Sequence, residues 1–178
     1  MWNSYYTGAR ECLQHLREPV IAQFSSFLNP PELLDWGVTA LYMVVTGVVN
    51  AIPWHDKRNS LQQFAEDGRL SCERFHKSMV TLKPDQIAED VASAVQDLYF
   101  EDPRFSTEYM LNSEDDTVAF GLRKSLSFVV QWITNMLACR ELSAQMEMCD
   151  AELQALEDSE QSWLKAWEAK KVGGGGMH

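Results

Sequence analysis

Three of the four histidines in this 178-residue chain stand near carboxylates at spacings that could do chemistry. Glu73-Arg74-Phe75-His76 is a Glu-x-x-His pair, which puts both side chains on one face of a helix. Di-iron carboxylate bundles use two such pairs and two further Glu. Here there is one pair, and Glu11 with His15, four residues apart, offers a second face. Solvated polar faces of helices hold the same combinations by chance, so neither a metal nor another cofactor is expected. The segment Trp54-His55-Asp56 sets an imidazole beside a carboxylate and an indole, the ingredients of a general acid/base at a pocket mouth. The same residues also read as a helix start, with Asp56 capping and His55 exposed. The spacings of phosphate-cradling loops, nucleophile elbows and zinc-protease helices (GxGxxG, GxxxxGK[ST], GxSxG, HExxH) do not occur. Asp115-Asp116 fits the positive end of a helix better than it fits a Mg²⁺ ion.

A third constellation is built for contact. From Glu141 to Leu164 there are seven acids (Glu141, Glu147, Asp150, Glu152, Glu157, Asp158, Glu160) and no Lys or Arg. Met146, Cys149, Leu153, Leu156, Trp163 and Trp167 form an apolar stripe through it. Trp163 and Trp167 are four apart, share a helix face, and can anchor a partner groove or a dimer. They can equally pack on the chain's own core.

The elements that must position these residues are organised around an uncharged stretch, Trp36 to Ile52. With Pro53 it just reaches the lower limit of about 17 residues needed to cross a bilayer. Two glycines, two threonines and Asn50 dilute it, and no Lys or Arg lies between Arg17 and Lys57 to orient a span. Its Val and Ile content suits strands, but its length and the lack of an internal turn signal favour one helix. Asn29, Pro30, Pro31, Glu32 and Asp35 write a helix start, and Pro53 a stop. The expected element is a buried central helix over 31–52, with Gly47 letting a neighbour approach closely.

Around it the chain reads as helices. Tyr5, Ala9, Cys12, Leu13 and Leu16 mark the first, capped by Asn3 or Ser4. Its phase runs on past Pro19 to Val20, Phe24, Phe27 and Leu28, so Pro19 kinks it or starts a second. Asp56 or Asn59 caps a helix through Leu61, Phe64 and Ala65, which Gly68 interrupts. Cys72, Phe75 and Met79 follow, then Ile87, Val91, Ala94, Val95 and Leu98 on a helix starting at Lys83-Pro84-Asp85. Residues 101–112 are irregular, with one helical turn after Ser106. Ser113 and Asp116 resemble a capping box. From Leu122 to Val172 there is neither Gly nor Pro. One stripe (Leu122, Leu126, Val129, Ile133, Met136) gives way to the Trp-bearing one near Arg140, where a kink, or a helix that leaves the bundle with a new face, is expected. No internal repeat or second core is evident. The reading is an all-α, single-domain bundle of about six or seven helices over 1–172, with a long C-terminal helix and a flexible Gly-rich tail at 173–178.

The net charge of −11 disfavours nucleic acid and anionic membrane as partners, because both require Lys and Arg to displace counterions. Four cysteines without a CxxC pair, all in apolar helical patterns, read as buried thiols. No basic region followed by an apolar run opens the chain, so a reducing, cytoplasmic setting is expected.

Leu33-Leu34-Asp35-Trp36, then Val49-Asn50-Ala51-Ile52-Pro53-Trp54-His55-Asp56, then Leu61 and Phe64, cover about a fifth of the chain. This pattern resembles an uncharacterised all-helical family of fungal proteins classed as a domain of unknown function. In that family the turn is Ile-Pro-His-Asp-like; here Trp54 separates Pro53 from His55. The resemblance implies an intracellular helical fold and no particular activity.

Two functions follow as expectations. One is a helical interaction or scaffold module that binds a protein partner, or itself as a dimer, through Met146, Leu153, Leu156, Trp163 and Trp167. The other is a small-molecule binder or enzyme with an apolar pocket lined by Trp36, Tyr42, Met43 and Trp132, with His55 and Asp56 as acid/base.

Overall fold

Gly47 ends the central helix six residues earlier than the apolar run suggests. Its φ of 76° is the left-handed value that closes a helix, and its N–H donates to the Met43 carbonyl (2.9 Å). The helix therefore runs Glu32–Thr46 rather than 31–52, with Pro31 at its N-cap in place of Asn29. The computed structural model describes residues 1–50, 52–112 and 118–173, the last three by backbone alone.

The fold is all-α. Among the described residues there are eight α-helices: α1 Trp2–His15, α2 Glu18–Ser25, α3 Glu32–Thr46, α4 Trp54–Leu61, α5 Glu73–Thr81, α6 Glu89–Val95, α7 Thr107–Asn112 and α8 Phe120–Gly173. No helix among the described residues is long and apolar enough to cross a membrane. The chain divides into two compact units, Met1–Arg140 and Glu141–His178, and α8 contributes to both.

In the first unit α3 is the hub. Nine of its fifteen residues are buried, on several faces at once, as its all-round apolar pattern requires. The close approach is made at Gly37, not Gly47. A Cβ on Gly37 would lie 3.0 Å from Cδ2 of Leu126 on α8, whereas one on Gly47 would meet nothing within 4 Å. Leu122, Leu126, Val129, Ile133 and Met136 are all buried against this core, with Trp132 fully enclosed. Each such side chain contributes about 1.5–3 kcal/mol relative to exposure.

Of the local expectations, the second helix at Pro19 and the helical turn after Ser106 are present, and several others are corrected. The first helix breaks at Leu16–Arg17, and Pro19 sits in the first turn of α2, where its missing N–H costs nothing. No side chain caps α1, α3 or α4, and Pro53 rather than Asp56 or Asn59 holds the N-cap of α4. Phe64 does not continue α4. It is exposed in a two-residue strand, β1 (Gln63–Phe64), paired antiparallel with β2 (Leu70–Ser71) around a turn at Gly68. The helix expected from Lys83 is three pieces: a 3₁₀ turn Pro84–Gln86, α6, and a π-turn Gln96–Phe100 that buries Tyr99 and leaves Leu98 exposed. The turn after Ser106 is α7, and the Tyr109 N–H donates to Ser106 Oγ (3.1 Å). The capping pair Ser113/Asp116, the Asp115-Asp116 pair, Ala51 of the turn before Trp54 and residues 174–178 of the tail lie outside the described residues.

Polar contacts lock the short helices. Arg58 Nε donates to the Ser25 carbonyl at the end of α2 (2.8 Å), and Trp54 Nε1 to the Phe27 carbonyl (2.9 Å). Glu18 Oε1 accepts from Ser71 Oγ (2.8 Å) and the Cys72 N–H (3.1 Å), tying α2 to the start of α5. Arg140 Nε donates to the Ile87 carbonyl (2.7 Å) while its guanidinium pairs with Glu89.

Candidate functional site

The acid/base pair lies on α4. Pro53, with ψ near 149°, turns the chain so that Trp54 opens the helix with its ring half-buried. Lys57 and Leu61 are the buried positions of α4, and His55 and Asp56 fall on its exposed side. His55 Nε2 lies 3.0 Å from Asn59 Nδ2, one turn along the same helix. Of the expected pocket lining, Trp132, Met43 and Tyr42 are core residues, 0%, 2% and 8% exposed. Trp36 is half-buried in an aromatic group with Tyr99 and Phe105 (ring centroids 5.0 and 5.5 Å away), under the guanidinium of Arg104 (5.0 Å).

Beside Trp36 is a polar cluster that pattern reading did not single out. Asp35 and Thr39 are one turn apart on α3, and the Lys57 ammonium donates to both. Burial and then the negative charge of Asp35 push the Tyr99 phenol up to about 12, against a hydrogen bond with Thr39. Arg104 holds the next corner. It donates to both Asp102 oxygens (Nη2 to Oδ2 at 2.7 Å), and these hydrogen bonds hold the Asp102 carboxyl below its usual range; it also reaches Glu32 on α3 at 3.3 Å. These groups are charge-paired and hydrogen-bonded to one another, and they stitch α3 to α4 and to the segment after the π-turn. The cluster's chemistry is cohesion.

The candidate ligands scatter. His15 stacks on Phe128, ring centroids 4.1 Å apart. His76 and Glu11 do line one open groove of about 770 Å³ with Arg10, Arg17 and Glu18, one residue from each sequence pair, while Glu73 is exposed at the start of α5. Among the described residues no group of three or more His, Cys, Asp or Glu could hold a metal ion. Burial raises the thiols of Cys12, to about 11, and of Cys72 and Cys139. Cys149 differs from the expectation of four buried thiols: it is exposed.

The second unit carries exposed apolar side chains along one helix. Every residue of α8 from 144 to 170 is exposed. Met146 (59%), Leu153 (60%), Leu156 (70%), Trp163 (66%) and Trp167 (48%) all face water. Helix periodicity aligns them along one side of α8. The stripe has a stricter period than its apolar members show. Leu142, Met146, Cys149, Leu153, Leu156, Glu160, Trp163, Trp167 and Lys170 follow one another at alternating steps of four and three. Glu160 and Lys170 mask that alternation in a reading that counts apolar residues only. No protein-family model matches the chain, and no curated protein matches it.

Proposed function

We propose that this protein is an intracellular, cytoplasmic interaction or scaffold module. The bundle of residues 1–140 is its folded body, and the outer part of α8 is its contact surface. The supporting observation is the exposure of Met146, Leu153, Leu156 and Trp163 on one side of a helix. Large apolar side chains left contiguous in water mark docking surfaces, and Trp is the residue type most often dominant in them. The net charge of −11 disfavours nucleic acid and anionic membrane as partners. The small-molecule alternative is the weaker reading, because three of its four lining residues are spent in the core. The test compares the full chain with a Leu153→Ser, Leu156→Ser, Trp163→Ser variant by mass in solution and by capture of partners. These residues are exposed, so the variant keeps its fold. Loss of an assembly or of a captured protein is expected; an identical monomer with identical captures rejects the proposal.

A further inference from the structure

The seam on α8 specifies its occupant. Alternating steps of four and three are the 3.5-residue repeat of helices that pair side by side. A free surface helix has no reason to hold apolar residues at seven of the eight positions of that repeat from Leu142 to Trp167, because an α-helix turns every 3.6 residues and the stripe would drift. Along the borders of the seam stand Asp150 and Glu157 on one side and Gln145 and Glu152 on the other, and Glu160 stands within it. No Lys or Arg lies between Glu141 and Leu164 to answer these acids.

A second copy fits poorly in either direction. Parallel pairing sets Glu160 against its counterpart inside the seam and Glu152 against Glu157 across it. Antiparallel pairing centred on the seam sets Glu157 against its own counterpart. Like charges at these positions oppose pairing, and the flanking charges of paired helices decide who pairs with whom. We infer that α8 docks an amphipathic helix of another protein that carries apolar residues on the same 3.5-residue repeat, Lys or Arg along its borders, and a basic residue opposite Glu160. The inference rests on the proposed role of α8 as a contact surface and adds the chemistry of the partner. Leu153, Leu156 and Trp163 supply the buried contact. Asp150, Glu152 and Glu157 select for positive charge. Glu160, flanked in the seam by Leu156 and Trp163, fixes the register, as a polar residue among apolar seam positions does.

The test uses the full chain and three synthetic four-heptad peptides. One has a Leu seam with Lys and Arg borders and a Lys opposite Glu160. One has the same seam with Glu borders. The third has the composition of the first with the seam order scrambled. Binding is followed by Trp fluorescence and sedimentation. The first peptide is expected to form a one-to-one complex, with the other two weaker by about tenfold or more. Leu153→Ser with Leu156→Ser should lower its affinity by a similar factor at unchanged melting temperature. Equal binding of the scrambled peptide means that charge alone is responsible and overturns the inference. A chain that sediments as a dimer and ignores all three peptides overturns the choice of partner but leaves α8 a contact surface. A monomer that ignores all three overturns the inference as well, and the serine-variant comparison then decides the broader proposal independently.

Discussion

The Lys57 ammonium on α4 donates at once to the Asp35 carboxylate and the Thr39 hydroxyl, two groups one turn apart on α3. The pair is lopsided: the Lys57 side chain is 4% exposed and that of Asp35 is 41% exposed. Removing the acid therefore costs more than removing the base. Asp35→Ala leaves a buried cation unanswered, and about 2–3 kcal/mol of stability should go, the low end for a buried pair because Asp35 meets solvent. Lys57→Met keeps the volume, frees Asp35 to hydrate, and should cost less than about 1.5 kcal/mol. Urea unfolding of the two variants gives the order, and the reverse order would show that the ion pair does not join α3 to α4 in this way.

The contact of Gly37 with Leu126 predicts a steep dependence on size. Gly37→Ala gains about 1 kcal/mol of helix propensity but brings a methyl 3.0 Å from Leu126 Cδ2, so the two effects should nearly cancel. Gly37→Leu cannot be absorbed and should destabilise by about 3 kcal/mol or more. Melting temperatures that fall equally for both would place the close approach elsewhere.

Tyr99 predicts a loss of stability in alkali. Its phenol is pushed from 10.0 to about 12 by burial and by Asp35. The unfolded chain releases this proton near pH 10 while the folded chain keeps it to about 12, so the folded state binds more protons in that window. Stability is then whole below pH 10 and falls as pH rises from 10 to about 12, by about 2 kcal/mol. Tyr99→Phe should flatten this part of the pH–stability curve, and one of the five tyrosines should ionise late in an absorbance titration. A wild-type curve with no fall beyond that of Tyr99→Phe defeats the prediction.

How much could be read from the sequence follows from where the information lies. Local patterns carry the helical class, the hub at α3 and the inner stripe of α8, because burial follows periodicity directly. Helix ends were less legible. Gly47 reads as a small residue for close packing until its φ shows it closing the helix, and Gly37, four residues after Leu33, gives no sign that Leu126 lies against it. The π-turn at Gln96–Phe100 shifts the phase by one residue, exchanging Leu98 for Tyr99 in the core. Tertiary packing, not propensity, decides that exchange. The cluster of Lys57, Asp35, Thr39 and Tyr99 joins three separate elements, and no spacing rule brings them together. The outer stripe of α8 was legible residue by residue, but its period hid behind Glu160 and Lys170, which a count of apolar residues skips.

Cys149 offers a direct report on the seam. Three thiols are buried and their acidities suppressed, whereas Cys149 is exposed on α8 between Met146 and Leu153. In the native chain an alkylating reagent should therefore modify one cysteine quickly and the other three only on unfolding, since reactivity follows exposure and thiolate fraction. Cys149 also occupies a seam position, facing whatever helix docks there. Saturating the chain with the Lys- and Arg-bordered peptide should slow its alkylation about tenfold, while the Glu-bordered peptide leaves the rate unchanged. Mass spectrometry of the alkylated chain identifies the site. Protection by both peptides alike would mean that the seam accepts apolar helices whatever their charge. Binding of the basic peptide without protection of Cys149 would mean that it sits on another face of α8.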